Sequence, residues 1–144
     1  MLHTSAIFTH LRRVLQGAYF LQYMNMNELD QLVGCLRAIR VFKNYEIIRE
    51  GDPGDAFYLI ATGRVSVWKK KGTQRVKVAE LRSDDYFGEM ALIANEPRSA
   101  TVIAEGLTEL FILEKYNFDK ILMKNHAIAE KLRKAHDTRK AQHY

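Results

Sequence analysis

The apolar pattern of this chain changes period twice, and those two changes confine it to β-structure held between helices. Up to about residue 39 the apolar residues fall at helical spacing, with Leu29, Leu32, Val33, Leu36 and Ile39 on one face and Asn27 placed as an N-cap. From there the chain reads as short β-rich runs at 41, 47–48, 57–61, 65–68, 76–81, 101–104 and 108–113, separated by turn signals such as DPGD and KKKGTQ. Past Glu114 the helical spacing returns, through Phe118, Ile121 and Leu122 and then Ile128, Leu132 and Ala135. Short strands at this spacing predict an antiparallel jelly roll (β-roll) or barrel over 39–114, which with N-terminal helices over 10–39 and two C-terminal helices over 115–141 makes an α+β fold. The whole of 1–144 reads as one domain, because 144 residues with 47% hydrophobic content fill one core and are too few for two.

Several function classes fall away on composition. No apolar run approaches the roughly 20 residues needed to cross a bilayer, so no transmembrane segment is expected in this chain. The N-terminus carries its basic residues after its short apolar patch, the reverse of a secretory signal. Cys35 has no partner for an intramolecular disulfide and lies among Leu32, Val33 and Leu36, where it reads as a small core residue. Residues 1–114 hold 14 basic and 14 acidic side chains and residues 115–144 hold 8 and 3, so the net +5 sits in the tail. Such a tail reads first as a solvated helix face, and second as an attraction to nucleic acid, an anionic membrane or an acidic neighbour. No DNA-binding helix-turn-helix pattern follows it, which speaks against a complete transcription factor. His3, His10, His126, His136 and His143 all fall outside the strand region that would build a barrel metal centre, so no metal is expected. With no nucleophile and base at a suggestive spacing and no phosphate-binding GxxxxGK[ST] loop, the chain does not read as an enzyme.

One segment does carry chemistry. Residues 87–102, FGEMALIANEPRSATV, place Gly88 ten residues before an isolated Arg98. Gly88 has no Cβ, so a ligand can approach the backbone and φ is free to be positive. Residues 89–93 form a plausible helical turn whose unpaired amides suit an anion. Arg98 adds a planar, permanently charged fork matched to two phosphate oxygens, and Pro97 stiffens the approach to it. Glu89 would repel a phosphate unless its oxygens accept hydrogen bonds from hydroxyls on an attached sugar. Glu89 with Arg98 therefore suggests sugar plus phosphate.

This segment resembles the phosphate-binding cassette of cyclic nucleotide-binding domains, found in cAMP-dependent kinase regulatory subunits, cGMP-dependent kinases, cyclic-nucleotide-gated channels and catabolite activator proteins. The run EGDPGDAFYLIATGRVSV upstream matches the family's second signature, a tight turn followed by two core strands. The resemblance covers about residues 10–141, and EMALI followed by EPRSATV is most similar to the cytosolic domain of a bacterial cyclic-nucleotide-regulated potassium channel. It implies that the amides of Gly88, Ala91 and Ser99 and the Arg98 guanidinium hold a cyclic phosphate, with Met90 in the same turn. Glu89 would take the ribose 2′-hydroxyl and Val67 would lie against the base. Arg139 falls on the stripe of Ile128, Leu132 and Ala135, from which it would cap the purine, so the moving part is expected to be the C-terminal helices. Ser99 predicts that both cAMP and cGMP bind, cAMP at least as tightly.

The implied function is cyclic nucleotide sensing that gates an attached or partner effector such as an ion channel. The alternatives are a stand-alone sensor or kinase-regulatory module, and a nonbinding structural relative. No cofactor is implied beyond the ligand cAMP or cGMP, and the implied location is cytoplasmic, at the cytosolic face of a membrane if a channel is attached. Two positions depart from the family: Tyr45 and Asp84 stand where glycines are usual. Asp tolerates the left-handed region better than most residues.

Overall fold

The computed structural model describes residues 23–141; the expected helix before residue 23, His3, His10 and His143 lie outside them. Helix α1 spans Met26–Cys35 and is capped two residues earlier than expected. The Asn25 side chain accepts from the Glu28 amide at 2.8 Å, and the Glu28 carboxylate accepts from the Asn25 amide at 3.0 Å. This reciprocal box satisfies two orphan donors at once; three residues past Asn27 stands the shorter Asp30, not the Glu or Gln that such a box uses. The helix also stops earlier. Leu36 turns extended (φ −74°, ψ 137°), and Ile39, counted above on the helical stripe, lies on strand β1 (Arg37–Val41). A single apolar residue three past Leu36 extends the helical spacing without showing whether the helix itself continues. What decides is β8 (Thr108–Glu114), against which β1 forms an unbroken antiparallel ladder from Arg37↔Ile112 to Val41↔Thr108.

Between these lie β2 (Glu46–Ile48), β3 (Ala56–Thr62), β4 (Arg64–Lys71), β5 (Gln74–Arg82), β6 (Tyr86–Phe87), helix α2 (Glu89–Ala94) and β7 (Thr101–Ala104). Two four-stranded antiparallel sheets result, in the orders β1-β8-β3-β6 and β2-β7-β4-β5. Strand β3 shows how they share one core. Successive side chains on a strand point to opposite faces. Ala56, Tyr58 and Ile60 therefore pack inside the roll with Val65, Val67, Leu81 and Val102 of the other sheet. Phe57, Leu59 and Ala61 face outward, into a second cluster built with Leu32 of α1, Leu92 of α2 and the C-terminal helical segments.

Those segments are α3 (Lys115–Asn117), running into a π turn (Phe118–Leu122), and α4 (His126–Ala141). The stripe on α4 is displaced from the one expected. Ile128, Ala129 and Leu132 are buried, Ala135 is only half-buried, and His136 continues the buried face. At 100° per residue the buried arc is centred nearer Leu132 and His136 than Ile128 and Ala135. The arc faces α2 and the second cluster, so the helix that carries Arg139 in its last turn packs directly on the helix that begins at Glu89.

Candidate functional site

The site is assembled from short elements fixed by backbone contacts. Strand β6, too short to show any sequence period, pairs with β3 through Tyr58↔Phe87 and Leu59↔Tyr86. That pairing brings the end of β6, and the Gly88 that follows it, against the start of β3. Gly88 sits at φ 92°, ψ −4° as the N-cap of α2. A Cβ there would lie 3.0 Å from the Ala56 carbonyl oxygen and 3.1 Å from Arg98 Nη1. Of the two reasons the sequence suggested for glycine here, the positive φ is the one the backbone shows, and the arginine packed beneath adds a further one. Gly88→Ala is expected to lower stability by about 1–3 kcal/mol, the cost of a strained left-handed residue. Urea unfolding with an unchanged midpoint would remove this account.

Arg98 is buried, not a surface partner for an ion pair. Its Nη1 donates to the Gly88 carbonyl at 2.7 Å, and its Nη2 donates to the Ala56 carbonyl at 2.8 Å and to Asp55 Oδ1 at 3.3 Å. A guanidinium has five N–H donors, so these three bonds leave Nε–H and one Nη1 proton without a partner among the described residues. The backbone of Arg98 is held too: its amide donates to the Asp52 carbonyl at 2.7 Å, and its carbonyl accepts from the Gly51 amide at 2.8 Å. The DPGD turn, read from sequence as a plain connection, is the clamp that seats Arg98. Gly54 in that turn also abuts α2, where an added Cβ would come within 2.4 Å of the Ala91 Cβ.

Glu89 is fully buried in the first turn of α2. Its Oε1 accepts from Arg139 Nη1 at 2.6 Å, while Oε2 is buried with no hydrogen-bond partner among the described residues. Arg139 Nη2 donates to the Tyr86 carbonyl at 2.8 Å, and its guanidinium lies 4.6 Å from the centre of the Tyr86 ring. The cation on the last helix is therefore bonded to both flanks of Gly88. Burial pushes the Tyr58 hydroxyl above its ordinary pKa, and the Asp55 charge adds to this against the opposing Arg98; Tyr58 stays a neutral phenol beside Arg98 at neutral pH.

All eight residues singled out in the sequence line one solvent-open cavity: Val67, Gly88, Glu89, Met90, Ala91, Arg98, Ser99 and Arg139. Val67 enters from β4 on the wall opposite α2. The sequence reading missed Asp55 and the carbonyls of Ala56 and Gly88 as partners of Arg98, and Tyr86 as partner of Arg139. It also missed Leu81, Phe87 and Val102 in the wall, although the alternation along β5 and β7 marked their faces. The unusual glycine positions are resolved simply. Asp84 takes φ 78°, and at the other departure Asn44 takes φ 74° next to an exposed Tyr45.

The arrangement offers two N–H donors from a buried cation, the amides of a helical first turn that lack intrahelical partners, and one unpaired carboxylate oxygen beside an apolar wall. The family model for the cyclic nucleotide-binding domain matches residues 39–125. The chain is 35% identical over 112 residues to the cAMP-dependent protein kinase regulatory subunit of Dictyostelium discoideum, covering 74% of this chain and 34% of that protein. It is 36% identical over 119 residues to the corresponding subunit of Yarrowia lipolytica, covering 79% and 31%. It spans about a third of the length of these relatives. Among solved structures, the regulatory domain of Toxoplasma gondii PKA with cAMP superposes with a TM-score of 0.77 at 30% identity, over 87% of this chain and 48% of that one. With the cassette, the roll and the family match over the same residues, this chain belongs to the cyclic nucleotide-binding domain family.

Proposed function

We propose that this chain is a cyclic nucleotide sensor, a single regulatory domain over residues 1–144 that takes cAMP or cGMP into the cavity between α2 and β4. The observation that carries this reading is the unpartnered Oε2 of the buried Glu89, facing a cavity whose wall also holds Arg98 with two N–H groups to give. A buried carboxylate oxygen without a donor costs free energy, and a ribose 2′-hydroxyl supplies the donor. The cyclic phosphate then lies on Arg98 and the amides of Gly88, Ala91 and Ser99, Met90 closes the turn, and Val67 meets the purine. Ligand shifts the chain between states only by its difference in affinity for them. Glu89 supplies such a difference, because the same carboxylate holds Arg139 and with it the end of α4.

A kinase-type effector has better support than the ion channel suggested by sequence resemblance, since the relatives described above are kinase regulatory subunits. The moving helices would then act on a kinase partner within the cytoplasm. No helix among the described residues is long and apolar enough to cross a membrane.

Titration calorimetry with cAMP and cGMP tests the reading directly. Both are expected to bind, with cAMP at least as tight; a cGMP preference above about tenfold, roughly 1.4 kcal/mol, would overturn the selectivity, and no heat with either nucleotide would overturn the function. Glu89→Gln is expected to weaken cAMP more than its 2′-deoxy analogue, because only cAMP has the hydroxyl that the carboxylate reads. Equal losses for both ligands would give Glu89 a structural role alone.

A further inference from the structure

We propose that the β4–β5 hairpin is an electrostatic docking element for an anionic lipid surface, which its tip meets end-on. Residues 69–77, KKKGTQRVK, hold five cations and no carboxylate. The balance of charge over residues 1–114 conceals this cluster, because the acids that offset it lie elsewhere in the chain.

Every residue from 70 to 77 is exposed, so the ribbon extends past the core with neither face covered. Two of its cations are engaged: Arg75 with Glu46 at 3.1 Å and Lys77 with Glu80 at 2.5 Å. The ammonium groups of Lys69, Lys70 and Lys71 have no carboxylate partner among the described residues; Glu50, which lies close, takes the backbone amide of Lys70 at 3.0 Å. Lys70 also stands directly opposite Arg75. Like charges across a ladder destabilise it, and an anionic counterpart would relieve that.

The direction of the side chains selects the partner. Strand alternation puts Lys69 and Lys71 on one face of the ribbon and Lys70 on the other, beside Arg75 and Lys77, which pair with Lys70 and Trp68. A peptide or nucleic acid strand lying along the ribbon meets one row or the other. A charged plane approached by the tip meets both. The turn itself, Gly72 at φ 64° followed by Thr73, carries nothing apolar to insert, so the attraction is electrostatic and falls off within a Debye length.

Cosedimentation of the full chain with phosphatidylcholine vesicles, with and without phosphatidylserine, is the test. The chain is expected to pellet only with the phosphatidylserine vesicles at low salt and to be released at high salt. Replacing Lys69, Lys70 and Lys71 together with glutamine should weaken this binding on the order of 100-fold, with thermal unfolding and cAMP affinity unchanged. The proposal is overturned if the chain pellets equally with phosphatidylcholine alone, if it pellets with neither vesicle, or if the triple variant pellets like the parent, which would move the attraction to the tail. Binding of single-stranded RNA or polyglutamate without binding of vesicles overturns it as well. The salt dependence is read on the unmodified chain and does not depend on any variant folding.

Discussion

Arg98→Ala is expected to weaken cAMP binding by more than about 2 kcal/mol, the scale of removing a charge-assisted hydrogen bond from a desolvated site. The structure adds a second cost. Removing the guanidinium leaves the Gly88 and Ala56 carbonyls without their donor, and each buried unsatisfied acceptor costs about 1–3 kcal/mol. The variant should therefore unfold at lower urea as well as bind poorly, and the two effects have to be separated. Arg98→Lys does so. A lysine brings three donors on a point charge; it can satisfy a carbonyl or a phosphate oxygen but cannot hold both carbonyls and Asp55 while presenting two N–H groups to the ligand. It is expected to recover most of the stability and little of the affinity. A folded Arg98→Ala variant that loses only a few tenths of a kcal/mol of affinity would remove Arg98 from the phosphate site.

The split role of Arg98 shows where the sequence stopped being legible. Its charge, its fork and its spacing from Gly88 could be read from residues 87–102 alone. Its partners could not, because the carbonyls come from Ala56 and Gly88 and the carboxylate from Asp55, and only the pairing of β6 with β3 brings these together. The strands were legible for a physical reason: Phe57–Ala61 and Val76–Leu81 are long enough for alternation or continuous burial to show. Strand β6, with two residues, is not. The boundary of α1 was misplaced because Asn25 and Asn27 are both acceptable caps, and only the reciprocal bond with Glu28 distinguishes them. On α4 the apolar period was visible, but the centre of the buried arc depends on what packs against it. The position of α2 moved that centre from Ala135 toward His136.

The largest effect on switching should come from Arg139, which joins the C-terminal helix to the cassette. Glu89 is fully buried and the Arg139 side chain is 13% exposed, so Arg139→Ala leaves a carboxylate in the interior without its cation. Breaking one side of such a pair costs about 3–5 kcal/mol in comparable buried sites. Part of that loss should appear locally, as faster hydrogen exchange over residues 128–141, because the end of α4 is tied down through Arg139 to Glu89 and Tyr86. Glu89→Gln alone should give a similar local loosening. Adding it to Arg139→Ala should cost little more, since the pairing is already broken by the first substitution. The double-mutant cycle isolates that coupling, and additive effects within about 0.5 kcal/mol would mean that the two residues do not act as a pair. The same carboxylate offers its other oxygen to the ligand. Saturating cAMP is therefore expected to slow exchange across residues 128–141 in the unmodified chain, and to do so less when Arg139 is absent, because the ribose hydroxyl and the last helix then no longer share one anchoring group. Exchange in that helix that ignores the ligand in both proteins would uncouple Glu89 from α4 and place the moving part elsewhere in the fold.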